Sequence, residues 1–225
     1  LKGLDYHHLL MTDVNIGLDS LYYLKPRLNL RLRACAFREK SGIRVNEFTG
    51  PVSLDSTRVA LPLLHFRTPD SELRARFNMD LNAFDAHHPG LLYAWIDGSF
   101  GKQDLMRFMG AMPPSFVRQW PNHPLSVIGL LKGNMQHVDF SGLRIALPTA
   151  FRIHADGQAS ALTDMKHLSA DVRLSATTWR IGFITSMLPP SLMRKIRIPS
   201  GLSVDGRFRV RSKDYDADFT AREGG

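Results

Sequence analysis

The sequence predicts an all-β fold with minor helix: antiparallel sheet with two short amphipathic helices. Three observations carry this. Apolar and polar residues alternate with period two in several separate stretches, the signature of strands dry on one face and wet on the other. Most prolines fall between those stretches, where a missing N–H costs no ladder bond. Two segments break the alternation with helical spacing. Sheets wet on one side only are usually antiparallel.

In chain order, Leu28, Leu30, Leu32, Ala34 and Ala36 form the first apolar face, with Arg31 and Arg33 behind it. Val59 to Phe66 contains Pro62, so an edge, a bend or no strand is expected there. From Glu72 to Ala83, apolar Leu73, Ala75, Phe77, Met79, Leu81 and Ala83 alternate with polar residues. Leu105, Phe108, Met109 and Met112 then recur at i, i+3, i+4 and i+7, the spacing of a short amphipathic helix. His167 to Ala176 returns to alternation, with Leu168, Ala170, Val172, Leu174 and Ala176 on one side. Ile181, Ile184 and Leu188 mark the second helix. The last two strands carry Leu202, Val204, Phe208 and Val210, then Tyr215, Ala217, Phe219 and Ala221. Pro26, Pro51, Pro69, Pro89, Pro121, Pro124, Pro148 and Pro199 are read as punctuation between runs.

The chain also repeats itself. Met112-Pro113-Pro114-Ser115 is answered 76 residues later by Leu188-Pro189-Pro190-Ser191, and Leu125-Ser126-Val127 is answered by Leu202-Ser203-Val204. Each copy reads as helix, Pro-Pro kink, short helix with proline in its first positions, then meandering strands. Three units are expected: 1–100 a β-repeat unit, 101–176 a helix-Pro-Pro-strand unit, and 177–225 the start of the next. A repeat of this kind builds a long surface or groove more readily than a compact catalytic pocket.

Composition narrows the function classes. Hydrophobic content of 44% and charged content of 22% are those of a folded globular chain. The net charge of +8 permits an anionic partner without choosing one. Cys35 is the single cysteine, which excludes a disulfide framework and a thiolate metal cluster. No run of apolar residues is long enough for a spanning helix. The chain opens Leu1-Lys2-Gly3 and is read as an internal piece of something longer.

An enzyme is not expected: no nucleophile elbow, zinc-protease helix, P-loop or dinucleotide fingerprint is present. No cofactor is expected either. His7-His8 and His87-His88-Pro89 lack further ligands at metal spacing, and adjacent strand residues point to opposite faces. Asp214, Asp216 and Asp218 read as a solvated face; if their strand is a hairpin neighbour of Arg207, Arg209 and Arg211, the two rows pair as opposite charges. Nucleic acid is not expected as a partner, because Phe77, Phe208, Tyr215 and Phe219 lie on the dry side, away from the arginines. The helices, with Met106, Met109, Met112, Met187 and Met193, are expected to cap or plug the sheet rather than anchor it to a membrane.

A strand with five or six apolar side chains on one face, at about 1.5–3 kcal/mol for each large one, cannot leave that face in water. Two short helices are too few to cover at least five such strands. The alternatives are a β-sandwich or closed barrel, and a U-shaped sheet with a greasy channel.

The order of Phe37-Arg38-Glu39-Lys40-Ser41-Gly42-Ile43, then Leu64-His65-Phe66-Arg67-Thr68-Pro69-Asp70-Ser71-Glu72-Leu73, then the two Pro-Pro-Ser units with Ile198-Pro199, resembles the repeat region of the TamB translocation-and-assembly module family, within the AsmA-like group of bacterial envelope proteins. The likeness runs from about Phe37 to Phe219 and rests on motif order, since each turn is common by itself. Asn122-His123-Pro124 replaces the family's Ile-Pro in the first unit. The resemblance implies an elongated, curved antiparallel sheet, taco-like with an apolar concave interior, in the periplasm within an inner-membrane-anchored parent. It further implies phospholipid or acyl chains as cargo, carried between the inner and outer membranes. An outer-membrane assembly barrel protein is implied as a partner through regions outside these residues. On that reading the groove is lined by Leu73, Ala75, Phe77, Met79, Leu81, Leu168, Val172, Leu174, Leu202, Val204, Phe208, Val210, Tyr215 and Phe219. The alternative is a structural scaffold for outer-membrane proteins without lipid transport, offering sheet edges for strand addition.

Overall fold

The computed structural model describes residues 10–83, 85, 87–110, 112–134, 136–161, 168–185, 201–211 and 214–223. Among them the chain forms β1 (Met11–Leu24), β2 (Arg27–Glu39), β3 (Arg44–Val45), β4 (Glu47–Leu54), β5 (Arg58–Arg67), β6 (Glu72–Asp80) and β7 (Leu92–Phe100). Helices α1 (Lys102–Met109) and α2 (Pro114–Gln119) follow, then β8 (Leu125–Gly133), β9 (His137–Leu147), β10 (Phe151–Ser160) and β11 (Ser169–Thr178). A short α3 (Gly182–Thr185) precedes β12 (Leu202–Arg211) and β13 (Asp214–Glu223).

All thirteen strands belong to one antiparallel sheet in sequential order, with the two-residue β3 hanging from β2. The sheet is open and curled. It is neither a sandwich nor a closed barrel, and β1 and β13 form its two edges. Among the described residues every strand belongs to this one sheet, so no separate second sheet is present. It also runs unbroken through the expected unit boundaries, and the one between Ala176 and Thr177 falls inside β11.

The repeat has a topological meaning. β7 and β8 are hydrogen-bonded neighbours, yet α1 and α2 are inserted between them; β11 and β12 are neighbours with α3 between them. β7 and β11 are four strands apart in a meander and run in the same direction, so both excursions leave from the same end of the sheet. α2 restarts with Pro114 in its first turn, as the Pro-Pro motif predicts. The second Pro-Pro pair, Leu188, Met187, Met193 and Pro199 lie outside the described residues.

Proline placement differs from the expectation at one position. Pro51 lies inside β4, opposite Arg31 of β2, rather than between runs. On its other side, β4–β5 pairing is interrupted between Thr49 and Ser53. β5 is likewise shifted between Leu61 and Leu64, around Pro62. The two prolines sit in the irregular stretches of neighbouring strands, where a missing N–H is least costly. The bend expected at Pro62 is therefore present, within a central strand.

Glycines let the ladders approach closely. A Cβ built at Gly206 would sit 2.3 Å from the Asp218 carbonyl oxygen, and one built at Gly157 would meet the Asp171 carbonyl at the same distance. These two positions flank β11 through the Gly157–Val172 and Leu174–Gly206 pairs. Such close approach of backbones is how a sheet acquires strong curvature.

At the end opposite the helices, turns are held by acceptors. Asp55 accepts the N–H groups of Thr57 and Arg58, and Asp80 accepts Leu91 N–H and Arg58 Nε, each at 2.8–2.9 Å. The Leu91 N–H, assisted by Arg58, holds the Asp80 carboxyl below the usual range.

Gly206→Val is expected to lower stability by about 1–3 kcal/mol in a denaturant titration through forced backbone displacement, whereas Gly17→Ala, in ordinary van der Waals surroundings, should change it little. Because Asp80 titrates lower in the folded chain than in the unfolded one, its contribution is complete above the unfolded value of about 3.9 and is lost as pH falls through the folded value. Asp80→Asn should flatten the fall in melting temperature over that acid range and leave its slope near neutrality unchanged.

Candidate apolar trough and its helical rim

Pairing register places the apolar side chains in rows that cross the strands. One row runs Phe48, Phe66, Leu73, Gly98, Val127, Ile145, Ile153, Ala176, Val204 and Ala221, from β4 to β13 without a polar residue. A second runs Leu61, Phe77, Ala94, Leu131, Phe140, Gly157, Val172, Phe208 and Ala217. Between them lie Ala75, Ile96, Ala155, Leu174 and Phe219. A further row carries Met79, Leu92, Val138, Ala170 and Val210. Ten strands at about 4.8 Å spacing make this face roughly 43 Å long.

The face lies on the inside of the curl. Leu73, Phe77, Val172 and Leu174 are half-buried and Ala75 and Ala155 are buried, although all the described strands belong to one sheet. Sheltering by a single sheet is what curling provides. Alternate residues Glu72, Arg74, Arg76 and Arg173 are exposed on the other face.

Of the expected lining residues, Leu73, Ala75, Phe77, Met79, Val172, Leu174, Leu202, Val204, Phe208 and Val210 occupy these strands and are half-buried or buried. Phe219 sits on edge strand β13, 52% exposed, its ring stacked on Phe208 at 5.9 Å. Tyr215 pairs with Val210. Two positions differ. Leu81 falls in the turn after β6 and is exposed, because β6 ends at Asp80, whose carboxylate anchors the loop. Leu168 lies just before β11 rather than within it.

The helices fold over one rim. Met106, Phe116, Trp120 and Phe183 pack with Leu147, Ala150 and Phe151 into the main buried cluster, with Leu125, Ile145 and Ile153 against it. Phe183 is ringed by Phe116, Trp120 and Phe151 at centroid distances of 5.7, 5.0 and 6.5 Å. The cluster covers the inner face at the ends of β8, β9 and β10 and leaves the rows further along those strands open. The capping role expected of the helices is present, and part of each expected stripe takes it up: Leu105, Met112 and Ile181 pack against the cluster. Met106 and Phe183 are the deeply buried residues, whereas Met109 and Ile184 are exposed. α1 ends at Gly110, whose φ of 77° turns the chain, so Met112 reaches the cluster from beyond the helix.

A polar clamp fixes this rim, and Asp104 is its centre. The Asp104 side chain, 1% exposed, accepts hydrogen bonds from the Thr68 hydroxyl and from Ser71 Oγ at 2.7 Å. Ser71 Oγ in turn accepts Gly101 N–H at 3.0 Å, and Thr68 Oγ1 accepts Ser71 N–H at 2.8 Å. The Thr-Pro-x-Ser turn between β5 and β6 is thus the socket for the N-terminus of α1. One turn on, Arg107 pairs with Asp104 at 3.5 Å and lies against Gly42 of the Glu-x-Ser-Gly loop. Buried Glu39 ties that loop by accepting Ser41 N–H at 2.6 Å. Sequence reasoning did not single out Asp104; its one signal is a carboxylate four residues before Phe108, on the helix's apolar side.

On the outer face, Arg207, Arg209 and Arg211 stand opposite Asp218, Asp216 and Asp214, as the hairpin reading expects, with Arg209–Asp216 at 3.0 Å. Arg207 also binds Asp171 and holds that carboxyl below its ordinary range. Aromatics are not confined to the dry side: Trp95 lies under Arg76 at 5.5 Å and Tyr93 under Lys132 at 5.7 Å. Among the described residues no group of three or more metal-ligating side chains converges, and no helix is long and apolar enough to cross a membrane. His87 and His88 instead offer their backbone N–H groups to Asp85.

No family model, curated protein or solved structure matches the chain.

Asp104→Ala strands two buried hydroxyls and is expected to cost about 2–4 kcal/mol in chemical denaturation, with faster amide exchange concentrated in α1. Met109→Ala on the exposed side of the same helix should cost less than about 0.5 kcal/mol.

Proposed function

We propose that this chain is a segment of a periplasm-spanning envelope protein that conducts phospholipid along its apolar β-groove between the inner and outer membranes. The observation that carries the reading is the inner row from Leu61 to Ala217, which crosses nine strands without a polar residue and lies clear of the helical cluster. Acyl chains need burial without directional bonds, and rows of Leu, Val, Phe and Ala supply that alone. The length also fits. A face of roughly 43 Å exceeds the ~30 Å hydrocarbon thickness of a whole bilayer, so several acyl chains can lie along it. From β4 to β12 the charged side chains stay on the outer face and leave that length of the groove free of sites that would trap a headgroup; Glu223, opposite Leu202, stands at the end of β13.

The motif order that resembles the TamB family points to the same envelope setting and to an inner-membrane-anchored parent. A second reading, a scaffold for outer-membrane proteins without lipid transport, is favoured by one observation: the apolar edge strand β1, where Leu21 and Tyr23 are 61% and 66% exposed. Strand addition there would use backbone bonds and leave the groove unused.

Native mass spectrometry and lipid extraction of the purified chain decide between these. Co-purifying phospholipid is expected, and Leu174→Asp with Val204→Asp should abolish it while the circular dichroism spectrum stays that of a β-sheet. The control Ser175→Asp, on the outer face, should retain lipid. Absence of lipid from the unmodified chain would overturn the reading, as would unfolding by both inner-face aspartates, which would mean packed core.

A further inference from the structure

Two central strands break the sidedness that their neighbours keep. Leu92-Tyr93-Ala94-Trp95-Ile96 of β7 and Val127-Ile128-Gly129-Leu130-Leu131 of β8 are apolar without interruption, the pattern of strands covered on both faces. Their inward side chains line the trough. Their outward ones meet each other: Trp95 stands directly opposite Leu130, with Tyr93 and Ile128 on the diagonals, and all four are half-buried. The flanking strands are polar on this same face, with Arg74, Arg76 and Asn78 on β6 and Asp139, Ser141 and Arg144 on β9. A dry island therefore sits inside a wet surface, and cations ring it. Arg76 lies over the Trp95 ring at 5.5 Å, Lys132 over the Tyr93 ring at 5.7 Å, and Arg144 stands opposite Ile128. Among the described residues none of these three cations forms an ion pair. Of the carboxylates at the margin, Asp139 faces Lys132 but pairs with His137 at 3.3 Å, and Asp97 stands between Arg74 and Ile128.

We propose that this outward face of β7 and β8 docks an acidic protein surface, whose apolar side chains meet Trp95 and Leu130 and whose carboxylates meet Arg76, Lys132 and Arg144. Tryptophan, tyrosine and arginine gathered at one desolvated centre are the residues that carry most of the energy of protein interfaces. A guanidinium stacked on a ring keeps a fork of N–H donors for a carboxylate and loses less freedom when one arrives. Unpaired cations on a chain of net charge +8 select acid over base in the partner. Two other anionic partners fit the geometry less well. A nucleic-acid strand stacks its bases on open aromatic faces, and both rings here already carry a cation. A bilayer takes up apolar side chains that project into its interface, whereas these four are half-buried among neighbouring strands. The patch lies within the sheet and on the side away from the trough, so it depends neither on where the sheet ends nor on lipid being carried.

Fluorescence anisotropy of a labelled peptide in which Glu alternates with Leu and Phe tests this on the full chain, with saturable binding expected. Arg76→Gln combined with Lys132→Gln, both at exposed positions, should weaken that binding at least about tenfold and leave the thermal melt unchanged. Trp95→Ala should weaken it by a similar factor, and should still do so in salt strong enough to screen exposed charges. Arg31→Gln, which removes a cation from the exposed face of β2, should have no effect. The proposal fails if the peptide does not saturate, or if Arg31→Gln costs as much as the variants in the patch. Equal binding of poly-L-glutamate would reduce the site to bare charge attraction and would also overturn it. So would phosphatidylglycerol vesicles or a single-stranded oligonucleotide that displace the peptide and lose their own binding in the Arg76→Gln, Lys132→Gln chain, which would make this a membrane or nucleic-acid face instead.

Discussion

An apolar face carried by a single sheet is the constraint on which the rest of this structure depends. A flat sheet of this composition would leave ten strands' worth of Leu, Val, Phe and Ala in water, at a cost of about 1.5–3 kcal/mol for each large side chain. Two responses are visible. The sheet curls, helped by glycines such as Gly157 and Gly206 where neighbouring backbones come too close for any Cβ. The helical excursions fold back over one rim and bury it with Met106, Phe116, Trp120 and Phe183. Neither response closes the trough, and an apolar concavity left open is the physical basis of the proposed conduit.

The rim joins three parts of the chain that are far apart in sequence. Thr68 and Ser71 come from a β-turn, Asp104 and Arg107 from α1, and Gly42 from the loop after β2. A buried carboxylate is costly unless its lone pairs are filled, and two hydroxyls and a guanidinium fill them here. The Glu-x-Ser-Gly and Thr-Pro-x-Ser turns, which by themselves are ordinary punctuation, thereby acquire a common purpose. They hold the first helix of the repeat where its apolar side meets the sheet.

Outside the trough, the charged face is largely self-satisfied. Arg207 and Arg209 share Asp171 and Asp216, and His65 bridges Glu47 and Glu72 at 3.1 and 3.2 Å across three strands. Such exposed pairs contribute little stability individually. They do keep the outer surface wet, which fixes the sidedness of the sheet, since a one-residue slip in any strand would exchange the two faces.

Strand identity and sidedness were legible in the sequence because period-two alternation is a local property: each of Leu73, Ala75, Phe77 and Met79 declares its face by its immediate neighbours. The helix–Pro-Pro–helix unit was legible for the same reason, and Pro114 opens α2 as its chemistry requires. The end of β6 at Asp80, the burial of Met106 in place of Met109, and the choice of a single curled sheet over a sandwich were not. Each depends on a contact distant in sequence: Asp80 with Leu91, Met106 with Leu147 and Phe151, and Asp104 with Thr68. Alternation fixes which way a side chain points, but only the folded chain decides whether another surface, water or a groove stands opposite it.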